Sequence, residues 1–347
     1  MPTPMQFLRE SGVRPLHRRG QNFLIDTNII RKIVEAAGIK KTDTIVEIGS
    51  GSGELTAELA VRAKKVVAVE IDAHLFWILD SRFRGNDKGG DENDNITLLK
   101  DDIRAIPNTI FGKKDGAYRV IANIPYHITS QIIRKFLENT PRPKELILLM
   151  QKEVAQRIAA SPPQMSLLAV SVQYYAEARI LFPVSRNSFF PKPNVDSAVV
   201  RLVVKDSKQY KNCHPRSPIK LRTGSDRGSR AIRKTSNTGF PLDGGNDRGG
   251  NESDMQKFKD VDKERRDSSL TVRNDKFFFS IVRAGFSAKR KQCAQSISKK
   301  LRIPLTDVLS AFQKADVQEK ARAQEISVSQ WREVTKLLLS SQTVFRE

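Results

Sequence analysis

A chain of 347 residues has room for two domains and a substantial hydrophobic core. Its net charge of +21 and pI near 10.0 call for an anionic partner, nucleic acid first and an anionic membrane surface second. No apolar run approaches the ~18 residues that cross a bilayer, no apolar signal core follows Met1, and two cysteines (Cys213 and Cys293) with four histidines show no metal-ligand spacing, so the expectation is a metal-free cytoplasmic protein with unpaired thiols.

In chain order, Asp26 is placed to cap a helix through Ala37, with Ile29, Ile30, Ile33 and Val34 on one face and Gly38 at its end. T-I-V-E-I (44–48) reads as a short buried strand, followed by the glycine-rich G-S-G-S-G and a helix from Glu54. V-V-A-V-E (66–70), I-T-L-L-K (96–100), R-V-I-A (119–122) and E-L-I-L-L-M (145–150) read as further strands, and K-E-V-A-Q-R-I-A (152–159) as a helix. Near-continuous apolar strands alternating with helices imply a parallel sheet covered on both faces. D-S-A-V-V-R-L-V-V (196–204) is expected to end that sheet. Residues 276–347 read as helical around F-F-F-S-I-V-R-A-G-F, S-I-S-K-K-L and Trp331, a second, small α domain.

Two stretches interrupt this pattern, residues 81–95 and 207–274. Within them, G-N-D-K-G-G-D-E-N-D (85–94) and G-N-D-R-G-G-N-E-S-D (245–254) nearly repeat each other. They are too short and too polar for a solenoid unit. Their Gly, Asn and Asp are turn material, with few apolar side chains to offset the entropy of ordering. Both are expected to be inserted surface segments, the second largely disordered. Residues 207–274 hold sixteen Lys and Arg against nine Asp and Glu, which leaves +14 on the remainder. The basic character therefore belongs to the folded body too.

Three motifs carry chemistry. In V-E-I-G-S-G-S-G (46–53), glycine after a strand lets backbone approach a ligand and turn into a helix, and Glu70 ends the next strand where a carboxylate can take both ribose hydroxyls. A nicotinamide fingerprint would need glycine at 54; Glu54 stands there and is poor company for a pyrophosphate. A nucleoside cofactor without phosphates, S-adenosylmethionine, fits better. Asp101, at the end of the third strand, is placed to accept the cofactor's adenine amine, with Asp102 as an equally acidic neighbour. The third motif is N-I-P-Y (123–126). The Asn123 side-chain carbonyl and the Ile124 backbone carbonyl can accept hydrogens from an exocyclic amine. Pro125 fixes the turn, and Tyr126 offers a ring on which a base stacks, worth roughly 1–3 kcal/mol. Such a site works by positioning and preorganised acceptors, without a strong general base. His127 reads as a surface or supporting residue.

With G-Q-N-F-L (20–24), V-E-I-D (69–72), Q-K-E-V-A (151–155), F-F-P-K-P-N-V-D-S (189–197), Phe286 and K-R-K (289–291), these motifs make the chain resemble the ribosomal RNA adenine N6,N6-dimethyltransferases of bacteria. The resemblance covers nearly all of the chain outside the two inserts. It implies that Asn22 and Leu24 close over the cofactor, Gly49 approaches its methionine part, Glu70 its ribose and Asp101 its adenine. It implies that Asn123 lies between cofactor and target base, and that Phe190 stacks on the face of that base opposite Tyr126. The implied substrate is two adjacent adenines in a hairpin near the 3′ end of small-subunit rRNA, each receiving two methyl groups late in subunit assembly. Arg14, His17, Arg18, Arg19 and the C-terminal Lys and Arg are expected to track phosphates. Ser50 stands where such enzymes usually carry proline, and a small residue is expected to be tolerated.

The expectation is thus an α/β protein with a class I Rossmann-like methyltransferase sheet. Its parts are a basic arm and cofactor-closing segment (1–25), a methyltransferase domain (26–206, with the 81–95 loop), the 207–274 insert and a C-terminal helical rRNA-binding domain (275–347). It is expected to act as a monomer on the pre-30S particle, away from membranes. The rivals are a large-subunit rRNA adenine methyltransferase conferring antibiotic resistance and a non-catalytic assembly factor on the same fold. A DNA adenine methyltransferase is disfavoured because its D-P-P-Y clamp is absent.

Overall fold

Four of the five residues of T-I-V-E-I (β2, Thr44–Ile48) are buried, as are five of six in β3 (Lys65–Glu70) and six of seven in β6 (Glu145–Gln151). Such strands survive only with both sheet faces covered. In the computed structural model, which describes residues 12, 21–84, 95–206, 275–288 and 291–344, they join β4 (Ile96–Lys100), β5 (Arg119–Asn123), β7 (Ala176–Val184) and β9 (Ser197–Val204). The seven strands lie in the order β4-β3-β2-β5-β6-β9-β7. The first five are mutually parallel; β9 runs antiparallel between β6 and β7. The strand at 197–204 therefore does not end the sheet. The edge is β7, whose Glu177, Arg179 and Pro183 are exposed on a strand with one neighbour. Charges and proline suit an edge and mask the apolar signal of a strand.

The pleat sends alternate residues into two cores. Val46, Val120, Leu146 and Leu148 belong to one; Ile45, Ile121, Ile147 and Leu149 belong to the other. The second core is closed by α1 (Thr27–Ala37), whose N-terminus is capped as expected. Asp26 accepts the N–H groups of Asn28 and Ile29 at 3.1 and 3.3 Å, and Gly38 ends the helix in the left-handed region. Further helices are α2 (Glu54–Ala60), α3 (Ala73–Arg84), α4 (Thr129–Glu138), α5 (Lys152–Ile158) and α6 (Leu167–Tyr175).

The first core continues without a break into the C-terminal helices, α7 (275–285), α8 (Cys293–Leu301), α9 (Leu305–Lys314) and α10 (Val328–Val344). Tyr174 of α6 stacks on Phe278 at 4.2 Å, and the hydroxyls of Tyr174 and Tyr175 both donate to the Asp275 carboxylate at 2.8 and 3.0 Å. Trp331 is fully buried. The segments 85–94 and 207–274, the arm residues Arg14, His17, Arg18 and Arg19, and Lys289 and Arg290 lie outside the described residues, as does Cys213. Among the described residues, no helix is long and apolar enough to cross a membrane.

Candidate active site

Because β2 to β5 are parallel, their carboxyl ends share one edge of the sheet. That edge collects Gly49 after β2, Glu70 at the end of β3, Asp101 after β4 and Asn123 at the end of β5. The antiparallel β9 adds its first residue, Ser197, to the same edge, opposite Gln151 of β6. A small two-stranded ribbon lies alongside, where β1 (Phe23–Leu24) pairs with β8 (Phe189–Phe190) and sets Phe23 against Phe190.

The glycine loop is hooked onto the end of β3. The Gly49 N–H donates to the Val69 carbonyl at 2.8 Å and the Gly51 N–H to Glu70 Oε2 at 3.0 Å. Gly51 sits at φ +56°, which favours glycine, and a Cβ there would stand 3.1 Å from the Phe23 ring, close enough that the ring would have to give by a few tenths of an ångström. Glu70 Oε1 accepts the Asp72 N–H at 2.8 Å. Burial raises the Glu70 pKa, and these N–H bonds oppose the rise. Each carboxylate oxygen keeps a lone pair for a further donor, such as a ligand hydroxyl. Beneath the loop, Glu47 is buried and accepts the Thr56 hydroxyl at 2.5 Å. Burial pushes its carboxyl up to about 8, helped by the nearby Glu70 charge. Nothing in the sequence singles out Glu47, because it reads as one residue of a buried strand.

Two adjoining cavities open at this edge. One, of about 90 Å³, is bordered by Asn22, Phe23, Gly49, Glu70, Asn123 and Tyr126; the other, of about 270 Å³, by Asp101, Asp102, Ile103 and His127. Gly49, Ile71 and Pro125 line both. Asp102 is engaged by Arg104 through Nε and Nη2, at 3.0 and 2.6 Å. That pairing lowers the Asp102 pKa and distinguishes the exposed Asp101 as the carboxylate of the pair not held by a guanidinium. Ile71 and Ile103 add apolar lining to the cavity that holds Asp101. The sequence reading missed both, and position one residue from an acidic neighbour was the only available signal.

The lining fits a nucleoside. Carboxylates stand at two strand ends, with apolar lining beside Asp101, and the lone arginine among the described lining residues is already paired with Asp102. Among the described lining residues, a pyrophosphate would meet Glu70 and no guanidinium or ammonium other than that of Arg104.

N-I-P-Y leaves β5 at the junction of the cavities. The Ile124 N–H donates to the Leu149 carbonyl at 3.2 Å, and Pro125 holds φ at −55°. Asn123 Nδ2 donates to the main-chain carbonyl of Asn22 at 3.0 Å. This leaves Oδ1, an acceptor, as the amide atom not committed to the G-Q-N-F-L segment. The half-buried Tyr126 shares a 2.7 Å hydrogen bond between its hydroxyl and Ser197 Oγ, and burial raises its pKa. His127 is exposed, as expected for a surface residue.

Two predicted site residues stand apart. Leu24 is buried in the core with Ile30 and Leu55 and borders a separate cavity of about 40 Å³ behind the glycine loop. Phe190 is half-buried against Phe23 and Leu75, and from this ribbon it is Phe23 that borders the 90 Å³ cavity. Asn22, Gly49, Glu70, Asp101, Asn123, Pro125 and Tyr126 are brought together.

Residues 16–214 match the model of the family described as ribosomal RNA adenine dimethylase. The chain belongs to that family. A relative from Dehalococcoides mccartyi (strain CBDB1), a ribosomal RNA small subunit methyltransferase A, is 31% identical over 91% of this chain and 85% of its own length. The crystal structure of a dimethyladenosine transferase from Plasmodium falciparum is 23% identical with a TM-score of 0.61, covering 92% of this chain and 96% of that one. The crystal structure of the 23S rRNA methyltransferase ErmE gives 0.59 at 23% identity, covering 91% and 99%. At these identities the two structures speak for the fold, a class I methyltransferase sheet with a helical C-terminal region, and do not separate small-subunit from large-subunit targets. As a dimethylase of this family, the enzyme methylates adenine in ribosomal RNA with S-adenosylmethionine as methyl donor.

Proposed function

We propose that this dimethylase modifies small-subunit rRNA, placing two methyl groups on the N6 atoms of each of two adjacent adenines in a hairpin near the 3′ end. It would act in the cytoplasm, as a monomer, on a late assembly particle. The observation that carries this reading is the meeting of N-I-P-Y with Gly49 and Glu70 around one cavity, in a chain whose matched relatives include small-subunit methyltransferases.

S-adenosylmethionine, when bound, supplies an electrophilic methyl group. Glu70 takes the ribose hydroxyls through its remaining lone pairs, Asp101 accepts the adenine amine, and Ile71 and Ile103 flank the ring. Asn22 closes over the cofactor, and Gly49 approaches its methionine part. The amine of the target adenine is a weak nucleophile because its lone pair is delocalised into the ring. Asn123 Oδ1 and the Ile124 carbonyl accept its hydrogens and draw the nitrogen towards tetrahedral geometry. Pro125 fixes those acceptors, and Tyr126 stacks on one face of the base. The work is positioning and preorganised electrostatics, and a base in a single-stranded loop flips at low cost. The C-terminal Lys and Arg, with the basic N-terminal arm, hold the phosphates.

The test is transfer of labelled methyl groups to immature small subunits lacking the modification, with Asn123→Ala alongside and mapping of the labelled nucleotides. Label on two adjacent adenines near the 3′ end, lost in the variant, is expected. Label on large-subunit rRNA alone would move the target to the other subunit. Tight binding without transfer would make the protein an assembly factor.

A further inference from the structure

We infer that Ser197 is a positioning residue for methyl transfer: its hydroxyl anchors the far end of the Tyr126 ring and so holds the ring in place. The inference rests on the reading that Tyr126 is the platform for the target base.

Three observations carry it. Ser197 Oγ lies 2.7 Å from the Tyr126 hydroxyl, although the residues are 71 positions apart. Ser197 itself is completely buried. It is also held in register on both sides, opposite Gln151 of β6 and Val184 of β7. A serine on a doubly paired strand has a short tether and little freedom, so its Oγ is a fixed point.

Tyr126 is placed differently. It opens the single turn Tyr126–Ile128 that follows Pro125, and it is only half-buried. Among the described residues no aromatic ring stacks on it, and its hydroxyl has Ser197 as its hydrogen-bond partner. A tyrosine ring is oriented by two torsions. Pinning the far end of the ring at its oxygen fixes the first torsion and so the ring's axis, and the preference of a phenolic O–H for the ring plane biases the second, while the face stays free for a base. The reversed direction of β9 makes this possible. A strand antiparallel to the others starts where they end, so the last residue of F-F-P-K-P-N-V-D-S arrives beside N-I-P-Y. Asp196, its neighbour, accepts the Arg186 N–H at 3.1 Å and gives its carbonyl to the Lys152 N–H at 3.0 Å, which secures the entry to the strand.

The experiment compares wild type, Ser197→Ala, Tyr126→Phe and the double variant under saturating S-adenosylmethionine. Each removes the same hydrogen bond, from one end, the other or both. Each is expected to lower kcat by about five- to tenfold, the worth of one such bond. The double variant should fall no further than the singles, because the effects are not independent. The KM for S-adenosylmethionine should stay within about twofold of wild type, and kcat is referred to the concentration of S-adenosylmethionine-binding sites titrated in each variant, so that a loss of folded enzyme is not read as a loss of rate. Wild-type kcat in Ser197→Ala overturns the inference, and so does a double variant whose loss is the product of the two singles. If wild type itself transfers no methyl group, the proposed function fails instead, and that result is distinct from either.

Discussion

The Asn123 side chain donates to the backbone carbonyl of Asn22 at 3.0 Å, joining two motifs 101 residues apart. An amide has one donor end and one acceptor end, so committing Nδ2 to Asn22 decides which atom remains for a ligand. Asn123→Asp tests this. The carboxylate keeps acceptors but sets an anionic oxygen against the Asn22 carbonyl, so the side chain swings away. We expect kcat to fall by at least about 100-fold, the scale of a one-ångström misplacement, with Tm nearly unchanged. Single-turnover methyl transfer beside a thermal melt checks it; a variant keeping a tenth of the rate would show that the amide's orientation is immaterial.

Glu70 closes the glycine loop by accepting N–H groups from Gly51 and Asp72 with different oxygens. Gln can satisfy only one of them, and its NH₂ would face the other donor. Glu70→Gln should therefore loosen the loop and lose a ribose acceptor together. The expected loss in affinity for S-adenosylmethionine is about 10- to 100-fold, or ~1.4–2.7 kcal/mol. Isothermal titration measures it directly, and an unchanged Kd would remove Glu70 from the cofactor site.

Much of this architecture was legible because parallel strands buried on both faces read as unbroken apolar runs, as in V-V-A-V-E and E-L-I-L-L-M. The edge strand β7 was not legible. Its exposed Glu177, Arg179 and Pro183 answer to solvent on an outer strand and erase the pattern. Its absence from the sequence reading also put 196–204 at the sheet's rim, when that strand is sandwiched between two neighbours. At the site, the residues with chemically distinctive groups were found in sequence. Ile71, Ile103, Glu47 and Ser197 were not, because what matters about them is where a strand end or a reversed strand delivers an ordinary side chain.

Glu47 makes stability depend on pH. Its carboxyl, ordinarily near 4.5, is pushed to about 8 in the folded protein by burial and the Glu70 charge. Between those values the folded state holds a proton that the unfolded state releases. The associated stability is present below 4.5, declines as pH rises, and is gone above about 8; the full span is of order 3–5 kcal/mol. Glu47→Gln keeps an acceptor for Thr56 and has no charge to bury. Urea unfolding without cofactor should give similar stabilities near pH 5, with the variant the more stable by several kcal/mol near pH 8.5. Parallel profiles would mean that Glu47 ionises normally in the folded state.

The C-terminal helices depend on one close approach. A Cβ added to Gly285 would stand 2.5 Å from Trp331 Cη2 and 2.8 Å from Cys293 Sγ, and both of those residues are fully buried. None of the three can retreat into solvent, so Gly285→Ala must push α7 away from α8 and α10. Overpacking of this kind costs about 1–3 kcal/mol, and Tm should fall by roughly 3–10 °C. The chain has two tryptophans, Trp331 and the largely exposed Trp77. In a Trp77→Phe background, emission therefore reports Trp331 alone. A red-shifted native spectrum in Gly285→Ala would show water reaching the indole. Tyr174 and Tyr175 of α6 are bonded to Asp275 at the start of the same helix, so the displacement should also lower affinity for the rRNA substrate. A variant with native Tm and unshifted emission would mean that α7 has room to spare beside Trp331.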